Sequence, residues 1–305
     1  MTGMRNRFLA AACASALVLT VAGCSQPAAE RPLIVVTTNI LGDVVSHVVG
    51  DEAEVLTLMK PDADPHSFEI SAREASRLHE ADLLVSNGLG LEEGLQQHLD
   101  SAAAEDVPEF VAGDRIEVLD YADGDATGMP DPHFWTDPAR MIDVVTALEV
   151  TLAGIDDVDE GAIAGNAATY LGELERLDVE MTDAFGGIPA QSRALVTNHH
   201  VFGYLAERFG FRMIGAIIPG GTTLAAPSAS DLRDLTGAIE DAGVPTIFAE
   251  SSQPDRLAHV LADEAGIDVS VVELYTESLT APGDGADSYL TMMRVNTERI
   301  ATGLS

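Results

Sequence analysis

Leu195-Val196-Thr197-Asn198-His199-His200-Val201-Phe202-Gly203-Tyr204 carries a short apolar run into two adjacent imidazoles and then into a second apolar pattern. Residues 193–197 have the β-branched, apolar character of a buried parallel strand. Past the imidazoles, Val201, Leu205 and Ala206 recur at helical spacing with Phe202 beside them. A strand that runs directly into a helix is half of a βαβ unit, and ligands of such sheets gather at the carboxyl ends of the strands. His199 and His200 therefore stand at the edge where a bound group is expected.

The alternation continues outward from this stretch. Strands are expected at 33–38, 54–59, 82–86, 107–111, 116–119, 211–217, 245–249 and 269–274. Helices are expected at about 71–80, 91–104, 138–152, 200–209, 228–242, 254–265 and 286–303, with one after residue 39, where Asn39 is the expected N-cap. Strand–helix alternation with mostly apolar strands predicts an α/β protein with parallel sheets covered on both faces. Residues 158–185 form one long helical pattern without a strand signal, ending at Gly186-Gly187 and Pro189. That pattern divides the chain into an N-terminal α/β domain (33–157), a linking helix (158–187) and a C-terminal α/β domain (188–305).

The first 23 residues read as a targeting segment. Arg5 and Arg7 precede the apolar run Phe8–Ala22, and Val21-Ala22-Gly23-Cys24 has the form of a bacterial lipobox with Cys24 as the lipid-modified residue. The apolar run is short for a membrane span, which needs about 20 residues. Residues 24–32 then form a Pro/Ala tether. Loss of the segment removes Cys13 with it and leaves no thiol for a disulfide or a thiolate metal site. It also leaves 14 basic against 50 acidic residues, a net charge of −36. Such a surface repels nucleic acid and attracts cations.

Metal chemistry must therefore use imidazole and carboxylate. Of eight histidines, His47, His79, His98 and His259 fall inside amphipathic helical patterns. His66 sits in the Pro- and Asp-rich loop 60–69, His133 in Pro130-Asp131-Pro132-His133-Phe134-Trp135, and His199 at a strand end; loops on a rigid scaffold are where functional side chains gather. Glu277, after the strand 269–274, and Glu250, after 245–249, occupy strand-end positions of the same kind. Intervals of 67, 66 and 78 residues separate His66, His133, His199 and Glu277. That spacing excludes a zinc finger and fits a site assembled between two domains, with two ligands from each.

Pro65-His66-Ser67-Phe68-Glu69, Asp131-Pro132-His133-Phe134-Trp135, Thr197-Asn198-His199, Phe248-Ala249-Glu250-Ser251-Ser252 and Thr276-Glu277-Ser278 resemble, in order, the signatures of the zinc and manganese receptors (solute-binding lipoproteins) of bacterial ABC importers. The resemblance runs from about residue 33 to 303. It implies two α/β domains joined by a long backbone helix, with metal in the cleft between them. Carried over residue by residue, it gives His66, His133, His199 and Glu277 as ligands. Departures are His200 where the family usually has Asp, Glu277 where it usually has Asp, and a short acidic loop at 120–129 in place of the long His-rich loop of many zinc receptors. Ile218-Pro219-Gly220-Gly221-Thr222-Thr223-Leu224 resembles a subgroup of zinc receptors that lack that loop.

Three neutral imidazoles and one carboxylate suit Zn²⁺. Mn²⁺, the alternative, prefers more carboxylate oxygen, and the resemblance implies Glu rather than His at position 199 in manganese receptors. Glu250 is expected to hold an imidazole through its second nitrogen, with direct ligation as the alternative. His200 is expected beside the site or as a substitute ligand. Four protein ligands leave no position for an activated water, which disfavours a metallohydrolase. Neither Gly221-Thr222-Thr223 nor Ser251-Ser252 forms a nucleophile elbow. A metal-stapled surface adhesion module is the competing class. The expected partners are an ABC permease in the cytoplasmic membrane and a zinc metallochaperone, with no nucleic acid. The receptor is expected to be an extracytoplasmic monomer anchored through Cys24.

Overall fold

Among the described residues, eight strands sort into two four-stranded sheets, and every pairing in both is parallel. The computed structural model describes residues 31–122, 124 and 126–305. The expected signal peptide, the lipidated Cys24 and the tether up to residue 30 lie outside the described residues, as do Asp123 and Asp125 of the acidic loop. Residues 31–305 form one compact unit.

The first sheet contains β1 (Leu33–Val36), β2 (Glu54–Thr57), β3 (Leu83–Ser86) and β4 (Glu109–Val111) in the order β2-β1-β3-β4. The second contains β5 (Ala194–Thr197), β6 (Arg212–Ala216), β7 (Thr246–Glu250) and β8 (Ser270–Leu274) in the order β6-β5-β7-β8. The two orders are the same pattern. In each, the two central strands are buried along their whole length while the edge strands are partly exposed. This is why the central strands read as continuous apolar runs. In the second sheet the order reverses between β5 and β7, and the carboxyl ends there are followed or occupied by His199 and Glu250, the position favoured for ligands.

Helices α1 (Asn39–Val49), α2 (Ala72–His79), α3 (Gln96–Ala104) and α4 (Pro138–Leu152) precede the long helix α5 (Glu160–Gly186). After it come α6 (Gly203–Phe209), α7 (Ala229–Ala242), α8 (Arg256–Glu264) and α9 (Tyr289–Gly303). The 27 residues of α5 span about 40 Å at 1.5 Å per residue. Its buried positions, Ile163, Ala167, Tyr170, Leu174, Leu177, Met181 and Phe185, recur every three or four residues. That stripe packs on α1, α4, α6 and α9, so one apolar core runs from Ile34 of β1 through Leu174 to Phe248 of β7.

Two local expectations fail. Residues 116–119 are not a strand; beyond β4 the chain makes a four-residue 3₁₀ turn (Ala112–Arg115) and then a single bridge between Asp120 and Pro130. The backbone N–H of Leu119 is used by the Tyr204 hydroxyl oxygen at 3.1 Å instead of a neighbouring strand. Thr38, not Asn39, caps α1. Asn39 is the first helical residue, and its amide pairs with residues 278 and 279.

Leu174→Ala opens a cavity in the middle of the shared core and is expected to cost about 3 kcal/mol, whereas Val179→Ala, at a position 59% exposed, changes stability by less than about 0.5 kcal/mol. Denaturant titration of both variants checks the contrast.

Candidate metal centre

The tripeptide Asp-Pro-His occurs at 64–66 and again at 131–133, and both copies fold alike. The Asp64 and Asp131 carboxylates accept the backbone N–H of His66 and His133, each at 2.9 Å. An Asp that hydrogen-bonds two residues on is a local turn device, and here it fixes the main chain directly beneath an imidazole. Asp131 does more: its Oδ1 also accepts from His133 Nδ1 at 2.7 Å. Its Oδ2 packs so closely on Gly203 that a Cβ there would lie 2.4 Å from it. Glycine at the start of α6 is what leaves room for that carboxylate.

His199 follows β5 directly, and its Nδ1–H donates to Glu250 Oε1, the last residue of the adjacent β7. Glu277 reaches the site by a different route. Past the end of β8, residues 276–279 leave the second sheet and dock on the first half of the chain. Trp135 Nε1 donates to the Thr276 carbonyl at 2.8 Å, Asn39 Nδ2 donates to Ser278 Oγ at 2.8 Å, and the N–H groups of Leu279 and Asp62 donate to Asn39 Oδ1 and the Leu279 carbonyl, both at 3.0 Å.

These supports bring His66, His133, His199 and Glu277 together, with one ligand atom from each within 4.8 Å of all the others; no other such group occurs among the described residues. Glu277 Oε1 lies 3.1, 3.3 and 3.2 Å from Nε2 of His66, His133 and His199. His133 Nε2 lies 3.4 Å from His66 Nε2 and 3.2 Å from His199 Nε2. Donors 2.0–2.1 Å from a tetrahedral ion stand about 3.3–3.4 Å apart, so these five separations are close to the edges of a tetrahedral cage. All four side chains are buried. The outward nitrogens of His133 and His199 donate to carboxylates, which fixes the tautomer that leaves Nε2 as a donor atom for metal.

Burial disfavours charge on His133 and His199. The carboxylates of Asp131 and Glu277 around the first, and of Glu250 and Glu277 around the second, outweigh burial, so both imidazoles are raised above the ordinary value, His199 well above. Burial likewise pushes Glu277 up. The His199 charge and hydrogen bonds to three imidazoles prevail and hold it well below the usual carboxylate range. Burial pushes the Tyr121 hydroxyl up as well. It keeps its proton, donating to the Gly221 carbonyl at 3.1 Å while its oxygen sits 3.2 Å from His133 Nδ1.

Every residue of the expected ligand set is therefore in the cluster, and Glu250 is in contact with His199. His200 is not among the converging four. Its ring lies beside Gly124, where an added Cβ would be 3.1 Å from Nε2. His47, His79, His98 and His259 lie on α1, α2, α3 and α8. The reading by sequence did not single out Asp131, Tyr121 or the anchors Asn39 and Trp135. The doubled Asp-Pro-His tripeptide was the available signal for Asp131; the others act across the fold and leave none.

A family model described as zinc-uptake complex component A, periplasmic, matches residues 34–303. The chain belongs to this family. The manganese ABC transporter substrate-binding lipoprotein PsaA of Streptococcus pneumoniae is 29% identical over 291 residues, covering 93% of this chain and 92% of that protein. The iron-binding protein YfeA of Yersinia pestis is 27% identical, over 90% and 87%. The solved structure of the periplasmic zinc-binding protein TroA from Treponema pallidum matches with a TM-score of 0.82 at 26% identity, covering 90% of this chain and 99% of that one. The chain is thus a metal-binding receptor of the ABC-importer type, with two parallel-sheet α/β layers and a long helix, and the family is one of transport proteins rather than enzymes.

Two outcomes follow. Glu250→Gln removes the charge behind His199 and should weaken metal binding about 10- to 100-fold while the far-ultraviolet circular dichroism is unchanged; chelator competition with zinc measures it. In the metal-free protein, Glu277 contributes stability that is present above the ordinary carboxylate value and lost as pH falls through its depressed one. The two raised imidazoles contribute stability that is complete below the ordinary imidazole value and lost as pH rises through their raised ones. Thermal melting of metal-free protein is therefore expected to be highest between those limits and to fall on both sides.

Proposed function

We propose that this protein is an extracytoplasmic receptor that binds Zn²⁺ through His66, His133, His199 and Glu277 and hands it to an ABC import permease. The observation that carries this reading is the cage itself: a carboxylate oxygen 3.1–3.3 Å from three imidazole nitrogens, with the His133 nitrogen 3.2–3.4 Å from the other two, which suits a small ion that accepts four nitrogen and oxygen donors. The lobes 33–157 and 188–305 flank the helix 158–187 and close on the ion. Glu250 and Asp131 hold the outer nitrogens of two ligands, and His200 stands outside the coordination set. Cys24 carries the lipid that keeps the receptor at the outer face of the cytoplasmic membrane, and it works there as a monomer.

Manganese is the second reading, and one observation favours it. Glu277 Oε2 is buried without a hydrogen-bond partner, and a carboxylate that turned both oxygens to the ion would supply a fifth donor of the kind Mn²⁺ prefers. Several relatives carry manganese in their names. Zinc is favoured because three of the four residues are imidazoles, which suit zinc, whereas manganese is matched to carboxylate and water.

Equilibrium competition between Zn²⁺ and Mn²⁺ on the metal-free full chain decides between the two; preference for manganese at equal free concentration would reverse the assignment. His199→Ala is expected to abolish tight zinc binding and His200→Ala only to weaken it, and equal losses would mean the pair has been read wrongly. Because the imidazoles must be neutral to bind, zinc affinity falls as pH drops from about 7 to 5. Isothermal titration in buffers of different ionisation heat reads the protons released.

A further inference from the structure

The donors are buried, so an ion leaves only when the elements that carry them part. Those elements form two sets. His66, His133 and the docked segment 276–279 with Glu277 belong to one; His199 with Glu250 belongs to the other. The Tyr204 hydroxyl donates to the Asp131 carbonyl at 2.9 Å as a buried tie between them, and one carboxylate beside the site joins them within reach of water. Asp64 Oδ1 accepts the His66 backbone N–H at 2.9 Å. Its Oδ2 accepts from Thr223 Oγ1 at 2.5 Å and from Gln253 Nε2 at 2.9 Å.

Thr223 lies in the turn between β6 and α7, and Gln253 lies three residues beyond the carboxylate that holds His199. The turn bearing Thr223 also meets the first set at Gly221, whose carbonyl takes the Tyr121 hydroxyl and whose missing side chain admits the ring; a Cβ there would lie 2.5 Å from it. Asp64, Thr223 and Gln253 are all half-buried. The docking of residues 276–279 is different, since the Asn39 and Trp135 bonds that hold it are largely buried. Side-chain bonds within reach of water cost less to exchange than buried ones, so the Asp64 node is the joint that opens first.

We propose that Asp64 is a positioning residue that sets how long the metal stays bound, by tying the His66 loop to Thr223 and Gln253 on the His199 side. The inference rests on the receptor reading above. The ligands define the ion's equilibrium geometry, and Asp64 governs the rate at which the cage opens. It holds no metal itself. Loss of the two donors that reach it from the other set speeds release without altering the coordination sphere.

The test is zinc release from the full chain into excess chromophoric chelator, followed by stopped flow, with the visible spectrum of the Co²⁺-substituted protein as the record of ligand geometry. The double variant Thr223→Ala/Gln253→Ala is expected to release zinc on the order of tenfold faster with an unchanged Co²⁺ spectrum. Thr223→Ser, which restores a hydroxyl, should release at the parent rate, and Gln253→Ala alone should fall between. Release at the parent rate from the double variant, or faster release accompanied by an altered Co²⁺ spectrum, overturns the proposal while leaving the receptor reading intact. A parent protein that fails to retain zinc in equilibrium competition overturns the zinc reading, and with it the latch proposed for zinc.

Discussion

A carboxylate enclosed by three imidazoles is the constraint around which the rest of this molecule is arranged. An ionised group in such a setting is costly unless it is paired and hydrogen-bonded, and the three Nε2 atoms within 3.3 Å of Glu277 Oε1 meet that demand. The same atoms are the ones an ion would use. Proton and metal therefore compete for one cage. Metal binding exchanges one set of charges for another.

Three devices hold the four donors from behind. His66 and His133 rest on Asp-Pro-His turns, a wholly local solution. His199 relies on sheet order, since the parallel pairing of β5 with β7 brings Glu250 against its outer nitrogen. Glu277 relies on tertiary docking, through an asparagine and a tryptophan more than 140 residues away in sequence. Local, sheet-level and tertiary order thus each supply a part of one coordination sphere.

This hierarchy explains what could be read in advance. Central strands were legible because burial on both faces forces a continuous apolar run, and the histidines after them were legible as breaks in such runs. Residues 116–119 were misread because Ile116, Val118 and Leu119 have strand composition, but no strand lies alongside them and a tyrosine hydroxyl takes the Leu119 N–H. Asn39 was misread as a cap because asparagine is a good one locally. Its amide instead serves residues some 240 positions later, a separation of 239 for Ser278 and 240 for Leu279, and nothing in a window of sequence reveals that. The four converging residues fall two in each half of the sequence, yet Glu277 is fastened to the first half.

Residues 276–279 are fastened to the first half by buried hydrogen bonds, so Glu277 is held on the same side as His66 and His133 although it follows β8 in the chain. A separation along the seam between the halves therefore removes one nitrogen, that of His199, and leaves a three-donor face. An ion meeting that face would keep room for water and for exchange, and His199 would close that room. The hydrogen bonds of Asn39 and Trp135, remote from any metal contact, thus divide the site into a tridentate cup and a monodentate cap.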